Sequence, residues 1–147
     1  MRLNRLVCLI LMVLSLQSYA QHWAELYTSA EKAYQVGEYD SAFSRADHSL
    51  SLFLKEIDQH GDNHTAILRL LELICYGKGD YAQGLSFARK EVALREGDKN
   101  VRYGEALGQV GSFQQALEDF EAAETTFRES LQVLSQFYQP EDLPVVE

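Results

Sequence analysis

An all-α fold of paired helices is what this 147-residue sequence predicts, and three observations predict it. No proline lies between His22 and Gln139, so nothing in that stretch bars the helical hydrogen-bond ladder. No run alternates β-branched and polar residues for long enough to suggest a strand. Finally, a short pattern of acid, aromatic and then a small residue three positions on occurs three times, in GEYDSAF (37–43), GDYAQGL (79–85) and EDFEAAE (118–124).

Composition narrows the function classes before any site is considered. With 46% apolar and 24% charged residues and sixteen aromatics, the chain is ordinary globular protein rather than a collagen-like or disordered one. A formal charge of −9 argues against nucleic acid as the main partner, since phosphate binding needs a clustered surplus of Lys and Arg.

Residues 1–20, MRLNRLVCLILMVLSLQSYA, read as a secretory signal peptide: Arg2 and Arg5 lead, an apolar run spans Leu6 to Leu16, and Ser18 and Ala20 stand at the small-residue cleavage positions. That run is shorter than the roughly 20 residues of a membrane span. Cys8 lies inside the run without the small-residue context of a lipid-attachment cysteine, so a soluble exported chain is expected, periplasmic or secreted, with no membrane contact after cleavage near Ala20. Cleavage removes two bases and no acid, leaving 11 bases against 22 acids, net −11. Cys75 is then the single remaining cysteine, and its place in LRLLELICY reads as packing rather than reactivity.

From His22 on, helix pairs are punctuated by glycine turns at Gly37, Gly61, Gly79 and Gly97. In the first pair, Leu26 and Ala30 precede the Tyr39/Ala42 motif, and Ala46, Ser49 and Leu50 follow it. In the second, Leu68 and Leu71 precede Tyr81/Gly84, and Ala88, Val92 and Leu94 follow. In the third, Leu107, Val110 and Gly111 precede Phe120/Ala123, and Phe127, Ser130 and Leu131 follow. The motif aromatics are 42 and 39 residues apart. Small residues midway along each helix let two axes approach closely, and the aromatic at the start of the second helix fills the gap to the neighbouring pair. One such hairpin cannot bury its apolar face alone, so stacking is expected.

Over residues 23–144 this pattern resembles the tetratricopeptide repeat (TPR), whose helix pairs carry small residues near positions eight and twenty and an aromatic at seventeen. The resemblance implies a right-handed α-solenoid of about three TPR-like hairpins: 21–62, 63–101, and 102–147 with an acidic C-terminal end. The long spacing is similar to the extended kinesin-light-chain type, in an exported bacterial-type protein; 120–145 resembles its second helix and proline-containing turn, and GDNH (61–64) a reduced form of that turn. Glu72 stands where the pattern has Gly or Ala, and Glu91 where it has Ala. A different register would make Gly111-Ser112-Phe113 the third turn, 32 residues after Gly79; the first register is preferred because it accounts for every apolar residue between 120 and 138.

No catalytic constellation is visible, and neither an enzymatic activity nor a cofactor is expected. There is no Gly-rich phosphate loop, no H-E-x-x-H and no G-x-S-x-G. His60 and His64 have i, i+4 spacing, but Gly61, Asp62 and Asn63 between them favour a turn over a metal site. Residues 113–147 hold eight acids and one base, a solvated face or a docking surface for a basic partner.

The TPR resemblance implies a concave groove lined by the first helices, taking a protein or peptide segment. The matching positions are Tyr27, Glu31 and Tyr34 in the first repeat, Arg69, Leu73 and Tyr76 in the second, and Gln115 in the third. Tyrosine and arginine are favoured at interaction hot spots. The Lys/Asn arrangement that clamps C-terminal carboxylates in some relatives is replaced by Tyr27, Glu31 and Leu70, so binding of chaperone tails is not expected. The ending QPEDLPVVE falls where a further first helix would begin, and no polar capping helix follows it. A continuation of the polypeptide, a partner, or self-association with a second copy could cover that face. The expected function is an exported, non-enzymatic scaffold; the alternative is the sensory or substrate-recruiting part of a larger exported protease or signalling protein.

Overall fold

The computed structural model describes residues 22–56 and 62–138; the expected leader, His60, Gly61 and the QPEDLPVVE end lie outside the described residues. Six helices and no strand are found among the described residues. They are α1 over 22–35, α2 Tyr39–Glu56, α3 Asp62–Lys78, α4 Tyr81–Arg95, α5 Val101–Ala116 and α6 Phe120–Leu134. None of them is long and apolar enough to cross a membrane.

The recurring motif is explained by one turn built three times. After α1, Gly37 N–H donates to Tyr34 O and Glu38 N–H to Ala33 O; after α3, Gly79 donates to Tyr76 O and Asp80 to Cys75 O; after α5, Glu118 donates to Gln115 O and Asp119 to Gln114 O. This pair of bonds satisfies the last carbonyls of a helix and needs a left-handed residue between them. Gly37 and Gly79 supply it at φ 79° and 74°, whereas Glu118 adopts it at φ 63° in spite of its side chain. The acid that follows then starts the next helix: Asp80 Oδ1 accepts from Gln83 N–H and Asp119 Oδ1 from Ala122 N–H, both at 3.3 Å. The aromatic is the first helical residue in all three hairpins.

Two expectations about turns are settled by these helix limits. Gly111, Ser112 and Phe113 all lie inside α5, so the preferred register of the third repeat holds. GDNH is not a turn throughout: Asp62, Asn63 and His64 form the first turn of α3, where Asp62 suits the positive helix end and its carbonyl accepts from Thr65 Oγ1 at 3.0 Å. Between α4 and α5, Gly97 lies in the turn as expected, and Asn100 caps α5, its side chain accepting from Tyr103 N–H at 3.2 Å.

The chain divides into two compact units between Leu70 and Leu71. In the first, Ala30, Ala33, Ala42 and Ala46 are all buried, which lets α1 and α2 approach closely. Ser49 Oγ donates to Trp23 O at 2.7 Å, and Arg45 Nη1 donates to both Ser29 O and Ser29 Oγ. Trp23 meets Phe53 edge-on at 5.2 Å between ring centres, and Phe53 meets His64 at 5.7 Å.

In the second unit α5 packs on both α4 and α6. Phe113 and Val110 of α5 meet Ala88 of α4, with Tyr81, Leu85 and Val92 around them. Gly84 is essential to this approach, because a methyl group there would sit 2.6 Å from Phe113 Cζ. On the other side of α5, Tyr103 and Leu107 meet Val133 of α6. Ser130 Oγ donates to Gly104 O at 2.6 Å, repeating the Ser49–Trp23 bond at the same positions of the motif frame.

Candidate functional site

The seven sequence-derived candidates fall in both units: Tyr27, Glu31, Tyr34 and Arg69 in the first, Leu73, Tyr76 and Gln115 in the second. Tyr27, Glu31, Tyr34 and Arg69 are half-buried, whereas Leu73, Tyr76 and Gln115 are exposed. Tyr27 and Glu31 are one helical turn apart on α1 and hydrogen-bond to each other. Burial first, and then that bond and the nearby carboxylate charge, push the Tyr27 phenol above its ordinary value. These two side chains therefore brace each other, the phenol donating and the carboxylate accepting.

Tyr34 and Tyr76 occupy the same place in the frame, one turn before the left-handed residue, and each rests against the aromatic that opens the next helix. The ring centres of Tyr34 and Tyr39 are 5.9 Å apart, and those of Tyr76 and Tyr81 5.5 Å. Tyr76 also lies edge-on to Phe113 at 6.1 Å, yet remains 56% exposed. A tyrosine held between two rings with half its surface in water loses little freedom when something covers it. Leu73, three residues earlier on α3, is 49% exposed. In the third hairpin Gln115 replaces the tyrosine and lies beside a different feature, a shallow groove of about 360 Å³ lined also by Phe120, Ala123, Glu124, Phe127, Arg128 and Leu131.

Other candidates are structural. Cys75 is fully buried and free, and burial, with the Asp80 and Glu72 charges opposed by Lys78, pushes its thiol up to about 11. It is a poor nucleophile at neutral pH. His64 is buried against Phe53, and no group of three or more His, Cys, Asp or Glu side chains suited to a metal occurs among the described residues. Ser49 and Ser130 are committed to interhelical hydrogen bonds.

Sequence reasoning identified Glu72 and Glu91 as departures but not what they do. Both are buried, 2% and 1% exposed, in the positions where small residues belong. Glu91 stands at the frame position of Ser49 and Ser130, and in place of their hydroxyl it offers Oε1 to Arg95 Nε at 2.8 Å. The i, i+4 spacing of Glu91 and Arg95 was the available signal. The groove on α6 was also missed, although Phe120, Phe127 and Leu131 were each named as motif residues.

No protein-family model matches the sequence, and no curated protein matches it. Among solved structures, the TPR domain of Arabidopsis FLU superposes with a TM-score of 0.69 over 80% of this chain and 98% of its own, at 16% identity. At that identity the likeness speaks for the fold: paired helices repeated in the TPR manner, as the motif frame implied.

Proposed function

We propose that this protein is an exported, non-enzymatic scaffold that binds a segment of another protein through the exposed side chains of its first helices. The observation that carries the reading is the surface of α3 at Leu73 and Tyr76, where two large apolar side chains are 49% and 56% exposed while Tyr76 is held by Tyr81 and Phe113. Exposed, pre-ordered aromatic surface on a rigid helix is what a protein–protein hot spot requires. The TPR fold supports the same class of function, and Tyr34 is the matching anchor in the first unit. Export rests on the signal-like sequence of residues 1–20.

Partner capture from the native cell envelope tests the binding reading: Tyr76→Ala and Tyr34→Ala should lower recovery of a co-purifying protein while the helical circular dichroism signal stays unchanged. Equal recovery with both variants would sink the assignment. Intact mass tests export separately, since a mass matching residues 21–147 is expected, and one that retains residues 1–20 would contradict cleavage.

A further inference from the structure

The groove on α6 has an internal template. Where α5 packs on α4, the receiving residues of α4 are Tyr81, Gly84, Leu85, Ala88 and Val92. Shifted by the 39-residue repeat, they become Phe120, Ala123, Glu124, Phe127 and Leu131, five of the seven residues that line the α6 groove. On α4 these positions are covered by a helix. On α6 Phe120 is 62% exposed, Leu131 67% and Phe127 37%. The positions that receive a helix in one hairpin thus form an open apolar strip in the next.

Charge selects the occupant. All five positions differ from the template: Phe120, Ala123 and Leu131 keep the aromatic, small and aliphatic character of Tyr81, Gly84 and Val92, whereas Ala88 becomes the bulky Phe127 and Leu85 the charged Glu124. By helical geometry Glu124 and then Glu121 border the Phe120–Phe127–Leu131 strip. Glu118 and Asp119 precede it in the turn. Arg128 is the sole base between 117 and 138, and its charge is met by Glu124 at 2.6 Å. Two copies brought together on this face would set four acids against four with one base each, which opposes a homodimer.

We propose that the α6 groove binds an amphipathic helix from a partner protein, with apolar residues at i, i+3 and i+7 seated on Phe120, Phe127 and Leu131 and lysines or arginines facing Glu118 and Glu121. The site is separate from the α3 surface. Its apolar strip gives affinity by burial, and its acidic border gives orientation and a salt-dependent association rate.

The probe is a labelled synthetic helix of about 18 residues, long enough to span α6, with leucines at i, i+3 and i+7 flanked by lysines. It is titrated by fluorescence anisotropy into the full chain. Two control peptides carry glutamates for the lysines or the same residues with the leucines scattered. Expected is binding about tenfold or more tighter than either control, weakening with added salt. Leu131→Gln and Phe120→Gln should each weaken it by about tenfold, the loss of roughly one apolar anchor, while Tyr34→Ala leaves it unchanged. Equal binding of the controls, or indifference to both α6 variants, would overturn the proposal. So would a sedimenting dimer abolished by Leu131→Gln, which would make a second copy the occupant. Binding seen only after removal of residues 139–147 would likewise overturn it in favour of the chain's own tail. Loss of partner capture at Tyr76 without loss of peptide binding separates this site from the proposed function.

Discussion

Helices α4 and α6 occupy the same place in successive hairpins, begin with the same acid-aromatic turn, and differ in what lies on them. On α4 the frame positions are Gly84 and Ala88, small enough for the Phe113 ring and Val110 to enter. On α6 the corresponding positions are Ala123 and Phe127, and Phe127 turns back over Gly111 of its own hairpin, where a methyl group would lie 2.7 Å from the ring. Bulk has moved from the incoming helix to the receiving one. Side-chain volume at two positions therefore separates the covered face of α4 from the exposed strip of α6, while the backbone turn that precedes each is the same.

The sharpest way to break that comparison is Gly84→Val. The Phe113 ring is 2% exposed and has nowhere to retreat, so overpacking should cost about 2–3 kcal/mol in urea unfolding. Gly111→Ala is its counterpart. The facing Phe127 ring is 37% exposed and free to swing outward, and helix propensity returns about 1 kcal/mol, so a change near zero is expected. Equal losses at the two glycines would mean that α6 carries its ring as rigidly as α5 does.

A comparable effect is expected from alkali through Cys75, next to the turn that opens α4. The folded thiol titrates near 11 against an unfolded value of 9.0, so its contribution is fully present below pH 9 and is lost as pH rises through 11. Two units correspond to about 2–3 kcal/mol. Tyr27 and Tyr103, whose phenols are also raised chiefly by burial, extend the loss above pH 10. The check is chemical denaturation at pH 8, 9, 10 and 11 for the wild type and Cys75→Ala. The variant should start lower and fall less between pH 9 and 11; parallel curves would show that the thiol does not carry the dependence.

The three turns separate the hairpins by a smaller amount. Gly37 and Gly79 meet the left-handed requirement at no steric cost, but Glu118 meets it with a Cβ in place. Glu118→Gly should stabilise by about 0.5–1 kcal/mol, the relief of left-handed strain less the added freedom of the unfolded chain. It also removes one acid from the border of the α6 groove. Loss of stability would mean that the Glu118 side chain makes a compensating contact.

What was legible in the sequence follows the same division. Turns repeat because the left-handed residue, the capping acid and the aromatic are local requirements, so GEY, GDY and EDF disclosed the hairpins and Ala42, Gly84 and Ala123 their close contacts. Buried Glu72 and Glu91 were legible only as exceptions, because whether a carboxylate fits a small-residue position depends on partners such as Arg95 that a repeat frame does not contain. Gln115 was named for a first-helix surface and lies instead beside the α6 groove, since the frame fixes a residue's position along its helix and not which neighbouring helix is present.

The smallest expected effect separates stability from recognition on α6. Leu131 is 67% exposed, and by the frame it stands where Val92 stands on α4, half-buried between Phe113 and Leu107 neighbours. An apolar side chain that gains little burial on folding contributes little to the fold. Leu131→Gln should therefore change the unfolding free energy by less than about 0.5 kcal/mol, whereas Val92→Gln places an amide among Ala88, Tyr103 and Val110 and should cost well over 1 kcal/mol. If both substitutions proved silent, α4 and α6 would be alike and the junction would rest on Gly84 alone. If both proved costly, Leu131 would already be covered in the protein as it exists, and the strip would be core rather than surface. A silent Leu131→Gln that still weakens the lysine-bearing helix is the outcome in which the same frame position serves folding in one hairpin and recognition in the next.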